Sequence, residues 1–167
     1  MSQAPKSPIR ETDDEARRLA SELLEEARYG ALGVLSPSTG LPHVTRVAIA
    51  RDPDGAPMSL MSELSSHTSA LLANPACSLL LGRVHDKGDP LVHPRMTLAC
   101  TAMFTMHENE AYQSLRAHYL LTQPKAQLYI DFTDFHFATF RITQIELNGG
   151  FGKAYHLTPE DIGLSVA

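Results

Sequence analysis

Val44-Thr45-Arg46-Val47-Ala48-Ile49-Ala50 puts one guanidinium on an otherwise apolar strand. Ser62-Glu63-Leu64-Ser65-Ser66-His67-Thr68 then brings hydroxyls and an imidazole to the head of a short helical segment, Ser69 to Ala73. Free N–H groups at a helix start, hydroxyl donors and a guanidinium together make a site for a phosphate. The same residues also admit a plainer reading, in which Arg46 faces solvent or pairs with an acid and Ser66 is an N-cap. Both readings stand on the residues alone.

Other chemistries find less support. Eight histidines are present, but there is no His-Glu-x-x-His and no Cys-x-x-Cys, so no metal site is expected. A Gly-x-Ser-x-Gly elbow and a phosphate loop ending in Gly-Lys-Ser/Thr are also missing, and no catalytic residue is assigned. Cys77 and Cys100 lie far apart in apolar strand patterns and read as buried free thiols. Asn148 to Tyr155, with Gly149, Gly150 and Gly152, is either a turn or a backbone wall against a flat ligand. Asp131 and Asp134 are acid/base candidates, or caps and turn acceptors.

The elements that must position these residues follow from periodicity. Thr12-Asp13-Asp14-Glu15 has capping-box spacing ahead of Ala16, Leu19, Ala20, Leu23, Leu24 and Ala27, which predicts an amphipathic helix closed by Gly30. Strands are expected over 31–35, 42–50, 57–61 and 76–81, joined by turns such as Asp52-Pro53-Asp54-Gly55. A long central strand is expected from Arg95 to His107, a second helix over about 109–121, and a final strand from Phe135 to Leu147. The fold class is mainly β, a β-barrel with α-helices, its strands antiparallel and the barrel closed or partly closed.

At 167 residues, with 43% hydrophobic and 20% charged residues, the chain reads as one domain over 11–155, with tails at 1–10 and 156–167. No apolar run approaches the ~20 residues that span a bilayer, and the first ten residues lack the apolar middle of a secretory signal. The formal net charge of −5 argues against a nucleic-acid surface and favours a small-molecule ligand. The cytoplasm is the expected compartment.

Taken in order, several motifs resemble the pyridoxamine 5'-phosphate oxidase-like, FMN-binding split-barrel family. They are Thr45-Arg46-Val47, Ser62-x-Leu64-x-x-His67-Thr68, Asn74-Pro75, Gly88-Asp89-Pro90-Leu91, Arg95-Met96-Thr97-Leu98, Tyr129-x-Asp131-Phe132-x-Asp134-Phe135 and Gly149-Gly150-Phe151-Gly152-x-Ala154. The likeness covers about 16–155 and is greatest to the branch linked to haem utilisation. It implies a six-stranded antiparallel split barrel that forms a homodimer with two FMN sites at the subunit interface. On that resemblance Arg46 binds the FMN phosphate and main chain at Val47 and Ala48 lies along the flavin ring. Met61, Ser62, Ser66, His67 and Thr68 complete the phosphate segment, and Arg95 reaches flavin from the second subunit.

Two departures qualify what the resemblance implies. His67 and Thr68 stand about where the oxidases often carry lysine, and the arginine-rich, substrate-binding end of the true oxidases does not follow Gly152. The extra C-terminal domain of many haem-utilisation relatives is also missing, which leaves His156 as the tail candidate for haem and Asp134 at an acidic position near it. The expected function is therefore an FMN-binding oxidoreductase acting on a small-molecule substrate. The alternatives are a haem-binding or haem-degrading protein on the same barrel and a non-catalytic flavin-binding module.

Overall fold

A two-residue strand, β1 (Ile9–Arg10), precedes helix α1 (Asp14–Glu26) in the computed structural model, which describes residues 8–165. The helix is capped one residue later than its capping-box spacing predicts. Asp13 is the N-cap, its Oδ1 accepting from the Ala16 N–H at 2.8 Å, while the Thr12 hydroxyl donates to the His156 carbonyl at 2.9 Å. Ala16, Ala20 and Leu24 form the buried stripe, one helical turn apart. The helix ends at Glu26, well before Gly30, which lies in strand β2 (Tyr29–Leu35). A Cβ at Gly30 would stand 2.7 Å from Leu81 Cδ2 and 3.1 Å from the Leu80 carbonyl, so this glycine answers a close approach between strands rather than a helix end.

Strand β3 (Pro42–Ala48) pairs with β2 across the turn at Ser36–Leu41. The run expected as one strand to Ala50 divides at Ile49, whose N–H turns to the Arg28 carbonyl, and a short β4 (Ala50–Arg51) follows. The Asp52 carboxylate accepts from the N–H groups of Asp54 and Ala56, which fixes the turn into β5 (Pro57–Ser62). Helix α2 (Ser66–Ala73), strands β6 (Ala76–Leu81) and β7 (Arg95–Thr105), helix α3 (Tyr112–Thr122), and strands β8 (Phe135–Asn148) and β9 (Ala154–Leu157) complete the order. α3 begins later than expected because the Asn109 side chain accepts from the Ala111 N–H and holds a turn there.

The sheet runs β1-β9-β8-β7-β6-β2-β3, with β5 joined to β8 and β4 off that path. β8 pairs with β7 along most of its length, while its first half also pairs with β5 and its last residues with β9. The result is a curled, open sheet of the split-barrel type. Its six strands of six or more residues are the expected six, and the three short strands are additional. Among the described residues the one parallel pairing is β1 with β9. A register shift between Ala99 and Cys100 bends β7 against β8.

Two cores result. The larger lies between α1 and the inner faces of β2, β6, β7 and β8, and the smaller gathers Met58, Leu60, Tyr112, Tyr119, Ile130 and Phe137. Residues 1–7 and 166–167, within the stretches expected as tails, lie outside the described residues; Leu157 and Leu164, in the second stretch, are buried in the larger core.

Candidate functional site

On β3 alternation sends neighbouring side chains to opposite faces: Val47 into the core and Arg46 outward. The Arg46 guanidinium carbon stands 5.5 Å from the centroid of the Tyr29 ring, a cation–π arrangement on the outer face. Ala48 faces Tyr29 in the register. β3 ends the strand order, which leaves its far main-chain edge, including Val47 and Ala48, unpaired by sheet.

The second segment is arranged differently from its expected use. Met61 is buried in the larger core, and the Ser62 hydroxyl donates to Asp134 Oδ2 at 2.5 Å while accepting from the Leu64 N–H. The Glu63 N–H donates to the Asp134 carbonyl at 2.7 Å, so Asp134 fixes this turn and Ser62 has no proton left for a phosphate. Asp131 is held bidentately by Arg116 at 2.7 and 2.6 Å. Helix α2 starts at Ser66, so Ser66 is not the N-cap; Ser65 takes that position and its side chain makes no capping bond. Thr68 is fully buried with an unpaired hydroxyl. Burial, and then the nearby His43, hold His67 below the usual imidazole range, so it is neutral at pH 7 and supplies no cation where the oxidases carry lysine.

Arg95 lies on the outer face too. Cross-strand register gives one row, Arg46–Ala31–Leu80–Thr97–Glu146–His156, and Arg95 stands two residues along β7 from it. Strand spacing puts Arg46 and Arg95 roughly 16 Å apart within one chain. The Arg95 guanidinium donates to the Leu91 carbonyl at 2.9 Å, and the residue lines a small groove with Glu146, Tyr155 and His156. The structure therefore separates the predicted residues into an Arg46–Tyr29 site, the β5–α2 turn and an Arg95–His156 edge.

A groove of about 380 Å³ that periodicity did not reveal opens beside Tyr29. Leu19, Glu22, Leu23 and Glu26 of α1, with Ala27 just after it, form one wall, and Arg83, His85 and Pro94 of the β6–β7 connection line the rest. His93 Nδ1 accepts from the His85 N–H at 3.1 Å, and its Nε2 bonds the Lys87 carbonyl at 3.0 Å, which orders this connection. The His85 ring stands edge-on to that of His93, 5.0 Å between centroids.

His136 also escaped the sequence reading. It is 5% exposed, its Nε2 bonds Glu63 Oε1 at 2.7 Å, and its Nδ1 is buried without a partner. Among the described residues no group of three or more His, Cys, Asp or Glu is placed to hold a metal ion, and no helix is long and apolar enough to cross a membrane.

A family model described as "CREG, beta-barrel" matches residues 11–162. The chloroplastic heme oxygenase HOZ of Arabidopsis thaliana is 35% identical over 116 residues, 70% of this chain and 34% of that protein. A heme binding protein from Mycobacterium smegmatis has a solved structure that superposes with a TM-score of 0.78 at 27% identity, covering 92% of this chain and 61% of that one. HutZ, the heme storage protein from Vibrio cholerae, shares the fold with a TM-score of 0.71 at 16% identity, covering 81% of this chain and 96% of its own. A protein from Clostridium acetobutylicum related to general stress protein 26, of the pyridoxinephosphate oxidase family, shares it as well, with a TM-score of 0.68 at 15% identity over 90% of this chain and 99% of that one. The chain thus spans about a third of the plant relative and under two thirds of the mycobacterial one.

Proposed function

The chain belongs to the CREG β-barrel family, and from that premise we propose that it is a haem-binding protein whose site is built around Tyr29. Two relatives above 25% identity, the plant haem oxygenase and the mycobacterial haem-binding protein, have names that point to a ligand, and both favour haem over FMN. The observation that carries the reading is the double position of Tyr29: its ring lies beneath Arg46 on the outer face, and the residue also lines the mixed polar and apolar groove that holds His85.

The residues present fit a haem. Leu19, Leu23, Ala27 and Pro94 offer apolar walls to one edge of a macrocycle, Tyr29 gives it a flat surface, and Glu22 and Glu26 on the same lining require the haem carboxylates to point away from them, toward the guanidiniums. Arg46 and Arg83 are guanidiniums suited to carboxylates. Neither His85 ring nitrogen is engaged in a hydrogen bond among the described side chains, so this imidazole is free to meet a metal. A bound haem supplies the iron; the chain binds its carboxylates, orients its plane and excludes water from one face.

FMN is the second reading, favoured by the uncapped start of α2 beside Thr68. A neutral His67 and a Ser62 committed to Asp134 weaken that phosphate site. The outer face, with Leu35, Val44, Leu80 and Met103 exposed around Ala31, Gly33 and Ala99, suits a second copy of the chain, which would place the Arg46 and Arg95 edges of two protomers at one interface. Titration of the purified protein with haemin and with FMN tests the reading. Submicromolar haemin binding, with a strong band near about 400 nm, supports it; flavin bands near about 370 and 450 nm with no haemin binding overturn it.

A further inference from the structure

Cys77 and Cys100, 23 positions apart in sequence, face each other directly across the β6–β7 ladder. Directly opposed residues of an antiparallel pair project to the same face with Cα atoms about 4.5–5.5 Å apart, inside the about 4.4–6.8 Å window that a disulfide accepts. Both cysteines are free and both belong to the larger core, Cys77 at 9% exposure and Cys100 at 5%. Their settings differ in one respect. Cys77 also lines a shallow surface groove with Gly33, Leu35, Pro42 and Ser78, which borders the outer face proposed above for a second copy and is open in the single chain, whereas the Cys100 thiol lies deeper and donates to the Leu98 carbonyl at 3.6 Å.

We propose that Cys77 and Cys100 are an oxidisable dithiol, in which a small peroxide entering by the surface groove attacks Cys77 first and Cys100 then closes a cross-strand disulfide. In the first step the Cys77 sulfur displaces water from hydrogen peroxide and becomes a sulfenic acid. In the second the Cys100 sulfur attacks the Cys77 sulfur, the S–O bond breaks, and the oxygen leaves as a second water. Two thiols and one peroxide give one disulfide and two waters, so atoms and electrons balance. No room is needed for the product, because the pair loses two hydrogens and gains no atom.

Kinetics follow from the setting. The thiolate is the reactive form, and burial pushes the Cys77 thiol up to about 11 and that of Cys100 further up. Oxidation is therefore slow at pH 7, and its rate rises roughly tenfold per pH unit between pH 7 and 9. The bond would close the connection between β6 and β7, which carries Arg83, His85 and Pro94 of the groove beside Tyr29.

The test treats the full chain with hydrogen peroxide at pH 7 and pH 8.5 and reads intact mass, then digests it without reductant. The expected product is two hydrogens lighter, restored by dithiothreitol, with the Cys77 and Cys100 peptides linked. Constraint of the intervening loop raises Tm by roughly 5–10 °C. With dimedone present, Cys100→Ala gains an adduct on Cys77, and Cys77→Ala gains none on Cys100. Retention of two alkylatable thiols on unfolding, or links between chains alone, overturns the dithiol. An adduct on Cys100 in Cys77→Ala overturns the order of attack. Should either variant fail to fold, the wild-type mass decides the disulfide.

Discussion

His136 Nε2 and Glu63 Oε1 are joined by a 2.7 Å hydrogen bond that ties an imidazole buried in β8 to a half-exposed carboxylate in the turn before α2. Beside it, Ser62 and the Glu63 N–H both hold Asp134. The turn that introduces α2 is therefore fastened by three bonds from two consecutive residues, one to His136 in β8 and two to Asp134 immediately before that strand.

Glu63→Ala leaves the His136 ring with both nitrogens unpaired in the protein interior. The expected loss is about 1–3 kcal/mol of unfolding free energy, the range for an orphaned buried polar group. Urea denaturation measures it, and Glu63→Gln, which keeps an acceptor, recovers part of the loss.

Arg46→Ala removes a guanidinium from Tyr29 and from any carboxylate bound beside it. Haemin affinity should fall by about 1.5–3 kcal/mol, the worth of a charge-assisted contact, while the dimethyl ester of haemin loses little. Fluorescence or absorbance titration of both ligands separates the two. Equal losses would assign Arg46 to packing rather than to carboxylate recognition.

His85→Ala should shift or abolish the strong haem band, and His156→Ala should leave it unchanged, because His85 lines the groove beside Tyr29 and His156 lies at the far end of the row, roughly 24 Å from Arg46 by strand spacing. Absorption spectra of the two variants with haemin give the answer. In the proposed dimer the edges of two protomers would come together, so a band lost in His156→Ala alone would transfer the ligand role to the Arg95 edge.

Light scattering at micromolar concentration should give twice the 18.3 kDa chain mass. Val44→Glu, placing a charge on the apolar outer face, should return the mass to one chain with the circular dichroism unchanged. A wild-type protein that stays at one chain mass on concentration removes the shared-interface reading.

Asp161 gives a pH-dependent contribution with a definite sign. The Thr158 N–H, and then Arg17 at 2.8 Å, hold its carboxyl below the ordinary value of about 3.9. Its contribution is thus present above the unfolded-state value and is lost as pH falls through the lower folded value. Asp161→Asn should lower Tm at pH 7, with the difference from wild type closing as pH drops below about 4. A difference that persists at pH 2 would assign the effect to geometry.

Much of the fold could be read in the sequence because alternation is local. The burial of Met96, Leu98, Cys100 and Ala102 on β7 follows directly from their spacing. What could not be read depends on pairing. β4 is two residues long and exists only because β5 lies beside it, and β9 sits in a stretch without its own pattern until β8 meets it. The start of α2 was misplaced because Ser66, His67 and Thr68 look like a polar loop, whereas Thr68 is inside. For the site, Arg46 was conspicuous as a lone charge among apolar neighbours. Tyr29 and His85 were not, since neither breaks its local pattern and their groove forms only when α1 settles against the β6–β7 connection.

Phe137 belongs to the smaller core, while Ala138, Phe140 and Ile142, the next residues of the same strand, belong to the larger. One continuous backbone therefore serves both clusters from its two faces, and dismantling either one releases the stretch of β8 that the other needs. Unfolding should accordingly proceed as one cooperative unit, with the amides of residues 137–142 among the last to exchange with solvent and no stable fragment bounded by α3.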